Sequence, residues 1–462
     1  MAVLDSVATP TYPASCFKAY DLRGRVPAEL DEDVAYRLGL AYARRFRPSC
    51  VAVGRDARLS GASLQNALAH GLIHGGAEVL DLGLCGTEEI YFAAFQPGVE
   101  GGIMVTASHN PADWNGMKLV RQGAIPVSGD SGLRELQAEV EFSSAAAPKG
   151  KAAVTPTSFR DSYVRHLLGY LDGDAMRLRP LKILANAGDG CAGLVVDALA
   201  PQLPFRFERM RHHPNGHFPH GVPNPLLPEN RAATAQAVRV SGADFGIAWD
   251  GDFDRCFLFD ERGRFIEGYY IVGLLAEALL QQHPGEKIIH DPRLVWNTQE
   301  VVLRNGGISV QSKTGHAFIK ERMRAEDAMY GGEMSAHHYF RDFAYCDNGS
   351  IPWLLVAALL SRTGQPLSSL LDERMQAYPV SGEINTSVRD IDATLRRIER
   401  RYSPSAHRVE WIDGLSMEFG DWRFNLRGSN TEPVLRLNVE ARANHALMQA
   451  RTNEMQRLIA QE

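Results

Sequence analysis

The sequence predicts an α/β fold class, three related mixed α/β units followed by a smaller α+β unit. Three observations carry this. An apolar strand, a polar loop, an amphipathic helix and a second strand recur three times, beginning near Val51, Leu181 and Ile288. Beyond Tyr378-Pro-Val-Ser-Gly382 the pattern changes to a charged helix among several short strands. The length, 462 residues, divided by the ~150 of a usual domain gives about three, one fewer than the pattern marks, because the tail unit is small.

The first unit runs from Cys50-Val-Ala-Val-Gly-Arg-Asp56 through a helix around Ser63 to His74 into the strand Ala77 to Leu82. Phe142-Ser-Ser-Ala-Ala-Ala-Pro-Lys-Gly-Lys151 has linker composition and closes it. The second unit is Leu181-Lys-Ile-Leu184, the loop Ala187-Gly-Asp-Gly190 and a helix around Leu194 to Leu199. The third is Lys287-Ile-Ile-His-Asp291, a helix around Thr298 to Arg304, a stop at Asn305-Gly-Gly307 and the strand Ile308 to Gln311. The tail holds a charged helix, Ile391 to Tyr402, and a terminal helix with Leu447, Met448, Met455, Leu458 and Ile459 on its apolar face. Domains are therefore expected at 1–153, 154–256, 257–376 and 377–462. Parallel strands joined by helices place functional loops at the carboxyl ends of the strands.

Charge and composition exclude several classes. Lys and Arg number 49 against 55 Asp and Glu, a net charge of -6 that offers no field for nucleic acid or anionic lipid. Apolar residues at 45% and charged residues at 23% are ordinary for a globular protein. Six cysteines without a C-x-x-C pair suggest neither a disulfide scaffold nor a zinc knuckle. Ile351 to Leu360, the longest apolar run, is too short to span a membrane, and MAVLDSVATPTYPAS lacks the charge pattern of a signal peptide. The expectation is a cytoplasmic protein with no nucleic-acid or membrane partner.

Four segments carry chemistry. In Val105-Thr-Ala-Ser-His-Asn-Pro111 a strand ends in small polar residues and Pro111 stops the ladder, displaying Ser108 on a loop as a nucleophile or phosphate carrier, with Lys118 nearby. In Asp250-Gly-Asp252-Phe-Asp254-Arg255 three alternating carboxylates can converge on a hard divalent cation such as Mg²⁺. A calcium EF-hand is excluded, because Arg255 stands where the sixth loop position needs Gly and a strand precedes the loop. In Gly331-Gly-Glu333-Met-Ser335-Ala-His337, Glu333 and Ser335 offer partners for sugar hydroxyls. In Leu426-Arg-Gly-Ser-Asn-Thr-Glu-Pro433, Arg427 precedes small hydroxyl and amide residues, a composition suited to cradling a phosphate.

In this order and spacing the four segments, with Phe17-Lys-Ala-Tyr20-Asp-Leu-Arg23-Gly24 and Lys313-Thr-Gly-His316, resemble the α-D-phosphohexomutase superfamily, most closely its bacterial phosphomannomutase/phosphoglucomutase branch. The resemblance covers essentially the whole chain. It implies three related α/β domains and a fourth resembling the TATA-binding-protein fold, around a central cleft. It makes Ser108 the phosphoserine and a metal ligand with Asp250, Asp252 and Asp254 around Mg²⁺. It assigns sugar recognition to Glu333, Met334, Ser335, Ala336 and His337, and the non-reacting phosphate to Arg427, Gly428, Ser429, Asn430 and Thr431. Tyr20, Arg23, Lys118, Arg293 and His316 match positions that contact substrate or the transferring phosphate. The implied activity interconverts hexose 1-phosphate and hexose 6-phosphate, of glucose or mannose, through a hexose 1,6-bisphosphate that also serves as activator. The expected form is a monomer. Lys118, His337 and His109 are all candidates for the proton-accepting base.

Two positions depart from the family pattern: Ala336 replaces a usual Gly, and Arg293 stands where a Lys is expected. Other readings are a Mg²⁺-dependent sugar phosphatase, a phosphoglucosamine mutase and a silent phosphosugar-binding protein.

Overall fold

The computed structural model describes residues 15–171, 173, 175–428 and 434–461. Its strands form four sheets, and the first three share one topology. In each, the first strand of the repeat lies between the second and third and pairs with both in parallel, while the fourth returns antiparallel beside the third. For the first sheet these are Cys50–Arg55, Glu78–Leu84, Gly101–Val105 and Trp114–Arg121. For the second they are Lys182–Asn186, Arg206–Met210, Phe245–Trp249 and Cys256–Asp260. For the third they are Lys287–His290, Ile308–Gln311, Tyr330–Gly332 and His338–Phe340. The fourth sheet is antiparallel throughout, in the order Ile384–Ser387, Val434–Ala441, Trp422–Gly428, Leu415–Glu418 and Arg408–Glu410.

The division expected at residue 256 cuts through the second sheet. Cys256–Asp260 pairs along its whole length with Phe245–Trp249, and Phe265–Ile266 extends the same sheet. The Asp250 loop is thus a connection inside one sheet and not a border, because all five residues of Cys256–Asp260 are buried.

The repeat has a functional consequence. The loops carrying Ser108, Asp250 to Asp254 and Glu333 to His337 each follow the third strand, where the chain turns from parallel to antiparallel pairing. Loops after the first strand support them. Asp56 accepts the Arg58 N–H (2.9 Å), Asn186 accepts the Gly188 N–H (3.0 Å) and Asp291 accepts the Arg293 N–H (2.9 Å), giving the same two-residue turn three times.

One large apolar core joins Tyr91 and Phe92 of the first unit, Trp249 and Phe253 of the second, and Trp353 and Phe340 of the third. The fourth unit has its own core, including Leu395, Ile398, Phe424, Leu437, Met455 and Ile459. Three helices of the third unit start against a glutamate from each of the others. Glu440 accepts the N–H of Val295 (2.7 Å) at helix Trp296–Arg304, and Glu88 accepts those of Gly349 (2.8 Å) and Ser350 (3.2 Å) at Ile351–Thr363. Glu261 accepts that of Ser368 (3.2 Å) at Leu367–Ala377. A carboxyl group at a helix start satisfies N–H donors that have no partner within the helix.

Candidate active site

Ser108 is 1% exposed, and its φ of 51° lies in the left-handed region that non-glycine residues seldom occupy. The loop is held there by Arg58, whose guanidinium donates to the carbonyls of Ser108 (2.8 Å), Asn110 (2.6 Å), Pro111 (2.6 Å) and Trp114 (2.8 Å). Thr106 Oγ1 accepts the Ser108 N–H (2.8 Å) and donates to Asp56 (2.6 Å). The Ser108 hydroxyl is thereby aimed at the second unit, donating to Asp250 Oδ2 at 2.7 Å.

Asp250, Asp252 and Asp254 are buried, and one oxygen from each lies within 4.8 Å of the others. Lys118 Nζ donates to Asp252 Oδ2 (2.6 Å) and to Asp254, and Arg255 Nε donates to Asp250 Oδ2 (2.9 Å). Burial, opposed by Arg255, pushes the Asp250 carboxyl up to about 6. Burial opposes ionisation of Asp254 as well, but Lys118, His337 and Arg255 hold it well below the usual carboxylate range. Asp252 Oδ1 and Asp254 Oδ1 are buried and have no hydrogen-bond partner among the described residues. Buried oxygens left without donors among converging carboxylates fit a hard cation with oxygen ligands.

From this point a line of charged side chains crosses the third unit into the fourth. His337 Nε2 lies 3.7 Å from Asp254 Oδ1, and its Nδ1 lies 3.1 Å from Glu333 Oε2. Glu333 also accepts from the Tyr339 hydroxyl (2.6 Å) and the Gly315 N–H (3.0 Å). Burial works against its charge, yet His337 and Arg293 hold Glu333 far below the carboxylate norm. Arg293 reaches Asp291 (2.7 Å), Ser335 Oγ (3.3 Å) and Glu383 Oε2 (3.4 Å). Arg427 Nη2 meets that same Glu383 oxygen at 3.2 Å, and Arg436 lies 3.6 Å from the other. Tyr20 packs edge-on against the His316 ring, with centroids 4.8 Å apart, and Arg23 donates to Asn110 Oδ1 (2.8 Å) and Asp21 (2.9 Å).

Three residues of the Glu333 loop differ in what they present. Met334 is 4% exposed, its sulfur 3.3 Å from Asn438 Nδ2 and its N–H on Asp291 Oδ2 (2.9 Å), so its side chain belongs to the packing beneath the loop. Ala336 has φ 69°, which explains why Gly is usual there, and its carbonyl accepts from Cys256 N–H at 3.1 Å. Ser335 faces Arg293 and His337. Gly428 ends its strand, while Ser429, Asn430 and Thr431 lie outside the described residues.

The sequence reading missed Arg255 and Glu383. Arg255 is fully engaged between Asp250, His109 and the Ser108 hydroxyl (3.3 Å). Its only signal was its place directly after the third aspartate. Glu383 gave none, being a single acid in the stretch leading into the fourth unit.

Models of the phosphoglucomutase/phosphomannomutase family match the chain four times: alpha/beta/alpha domain I at residues 14–144, domain II at 161–263, domain III at 267–378 and the C-terminal domain at 383–457. The phosphohexose mutases of Xanthomonas campestris pv. campestris are 57% identical over 449 residues, covering 97% of this chain and 99% of the relative. The phosphomannomutase of Escherichia coli K12 is 56% identical over 452 residues, covering 96% and 99%. Among solved structures, a phosphoglucomutase/phosphomannomutase family protein from Burkholderia thailandensis superposes with TM-score 0.86 at 33% identity, covering 97% of each chain. The exocytosis-sensitive phosphoprotein parafusin, a phosphoglucomutase from Paramecium, shares the fold, with TM-score 0.75 at 15% identity over 98% and 96% of the chains. Four domain matches in order, relatives above half identity along nearly all of both chains, and the junction of a loop serine with three carboxylates agree: the chain belongs to the phosphoglucomutase/phosphomannomutase family.

Proposed function

We propose that this phosphohexomutase interconverts the 1- and 6-phosphates of glucose or mannose by way of a phosphoserine at Ser108 and a hexose 1,6-bisphosphate. The observation that carries this reading is the Ser108 hydroxyl, 2.7 Å from Asp250, on a loop pinned in a left-handed conformation. Phosphoryl transfer asks a protein for alignment and for neutralised charge on the equatorial oxygens rather than for covalent rearrangement. Arg23, Lys118 and Arg255 supply fixed positive charge around Ser108. Asp250, Asp252 and Asp254 would hold Mg²⁺, which supplies further neutralisation of the phosphoryl oxygens.

In the first half reaction the bond from phosphoserine 108 Oγ to phosphorus breaks and a bond from the sugar's free hydroxyl to phosphorus forms. In the second, after the bisphosphate reverses, the bond from its other phosphorylated oxygen to phosphorus breaks and the phosphoryl group returns to Ser108 Oγ. The departing oxygen takes up a proton each time. The hydroxyl proton passes to a base. The side chains placed near Ser108 and the three aspartates to receive it are Lys118, His109 and His337. Lys118 Nζ is tied to two carboxylates and, although burial works against it, they hold its proton on. His109 Nδ1 is taken up by Arg255 and Ser108. His337 stands between Asp254 and Glu333. The bisphosphate must then reverse end for end, and Arg427 with Arg293 is suited to hold whichever phosphate is not reacting, because guanidinium pairs with phosphate at either carbon.

Ser108→Ala tests the reading. In a coupled assay with glucose 1,6-bisphosphate as activator it should lose interconversion of glucose 1-phosphate and 6-phosphate, with unchanged circular dichroism. Full turnover by the variant contradicts the phosphoserine. Phosphate release without isomer formation by the native protein would favour a phosphatase.

A further inference from the structure

We infer that Thr87, a fully buried residue of the Ser108 domain, is a positioning residue for the Asp252 carboxylate and sets the affinity of the three-aspartate site for its cation. Thr87 is 0% exposed and begins helix Thr87–Ala94. Its hydroxyl donates to Asp252 Oδ2 at 2.6 Å, and its N–H donates to the Asp252 carbonyl at 3.1 Å. Both ends of one metal-loop residue are thus gripped by one residue of another domain. The oxygen that accepts from Thr87 is the one that accepts from Lys118, at 2.6 Å. With two donors on Oδ2, the other oxygen, Oδ1, is left buried and without a donor among the described residues. A buried acceptor is rarely left so unless something else fills it, and here the neighbouring acceptor in the same condition is Asp254 Oδ1.

The two donors act differently. Lys118 brings charge, which lowers the electron density a carboxylate can offer a cation. Thr87 brings a neutral O–H, which fixes the carboxylate plane while leaving its charge almost whole. The surroundings keep Thr87 in place. Gly86, just before it, lies against the Phe253 ring so closely that a Cβ there would come within 2.1 Å of ring carbon. Phe253 is the residue between Asp252 and Asp254, it is 0% exposed, and its φ is 47°. The Gly86 N–H donates to Glu89 (3.1 Å), which Arg160 holds at 2.9 Å. Gly86 and Thr87 thus form a seat for Asp252 and Phe253, and Thr87 is the part of the seat that reaches the carboxylate.

The inference rests on the cation reading above, and the test separates the two. Mg²⁺ and Mn²⁺ binding to the native full-length protein, Thr87→Val and Thr87→Ser is measured by calorimetry and by Mn²⁺ electron paramagnetic resonance, without substrate. Loss of such a supporting hydrogen bond typically costs about 10–100-fold in metal affinity. Thr87→Val, which keeps shape and loses the hydroxyl, should weaken Mn²⁺ binding about tenfold or more. Thr87→Ser, which keeps the hydroxyl, should bind within about threefold of native, and turnover of Thr87→Val should recover at high Mg²⁺ with KM for the phosphosugar unchanged. Equal affinity of native and Thr87→Val overturns the role of Thr87 while leaving the cation site standing. No binding to the native protein overturns both. If Thr87→Val does not fold, native-like affinity in Thr87→Ser together with weakened affinity in Thr87→Ala supports the inference, and native-like affinity in both contradicts it.

Discussion

Arg255 reaches across a domain boundary to the Ser108 hydroxyl and also holds Asp250, so one planar group aligns the proposed phosphate carrier and the first carboxylate. Lysine would keep the charge but not the fork that spans both partners. Arg255→Lys should therefore lower kcat by about 10², the scale of losing one oriented donor at a reacting centre, with KM changed little. Steady-state kinetics on glucose 1-phosphate check this, and native kcat in the variant contradicts it. The same residue shows where sequence reading stops. Ser108 and the three aspartates stood out because each motif is contiguous and its spacing implies chemistry. Arg255 acts on a serine 147 positions away, and only the packing of two domains reveals that. Thr87 and Glu383 are still less legible, since a threonine at a helix start or one acid before a strand has many ordinary uses.

At the scale of elements, repetition was readable and its completion was not. Strands starting near residues 51, 181 and 288 mark three units, and each is the interior strand that pairs in parallel on both sides in a sheet of one shared order. The antiparallel fourth strand of each unit escaped notice because its partner is set by the preceding loop and not by its own pattern; this is why residue 256 looked like a border. The glutamates at helix starts were equally silent. Glu88 is informative among them. Burial pushes its carboxyl up to about 8, outweighing the donors Ser350, Tyr163 and Gly349. An acid whose native pKa exceeds its unfolded value contributes most stability below the unfolded value, near 4.5, and loses that contribution as pH rises toward about 8. Glutamine does not titrate. The excess of native Tm over that of Glu88→Gln should therefore shrink between about pH 5 and 8, followed by thermal melts across that range. A constant difference contradicts the assignment.

Across the whole molecule, the second and third units share one core with Tyr91, Phe92 and Val120 of the first, which has a further core of its own around Leu38, Leu68 and Ile103, while the fourth has a separate core and meets the third through polar contacts. Arg423 donates to the carbonyls of Pro292 (2.9 Å) and Arg293 (3.0 Å) and to Glu440 (2.8 Å). Such a joint can be reset without exposing an apolar core, which suits an enzyme whose intermediate must turn over within the site. The net charge of -6 gives no hint of the local pattern, in which Arg23, Lys118, Arg255, Arg293 and Arg427 line one continuous path of paired charges. Its two ends, Ser108 and Arg427, lie in different domains, and in the proposed reaction a phosphoryl group sits covalently at the first. Mass spectrometry of the Ser108 peptide after treatment with glucose 1,6-bisphosphate, followed by a pulse of glucose 1-phosphate, tests this directly. One phosphate on Ser108 is expected, leaving as bisphosphate forms at a rate no slower than turnover; interconversion with Ser108 unmodified throughout would rule out the phosphoserine.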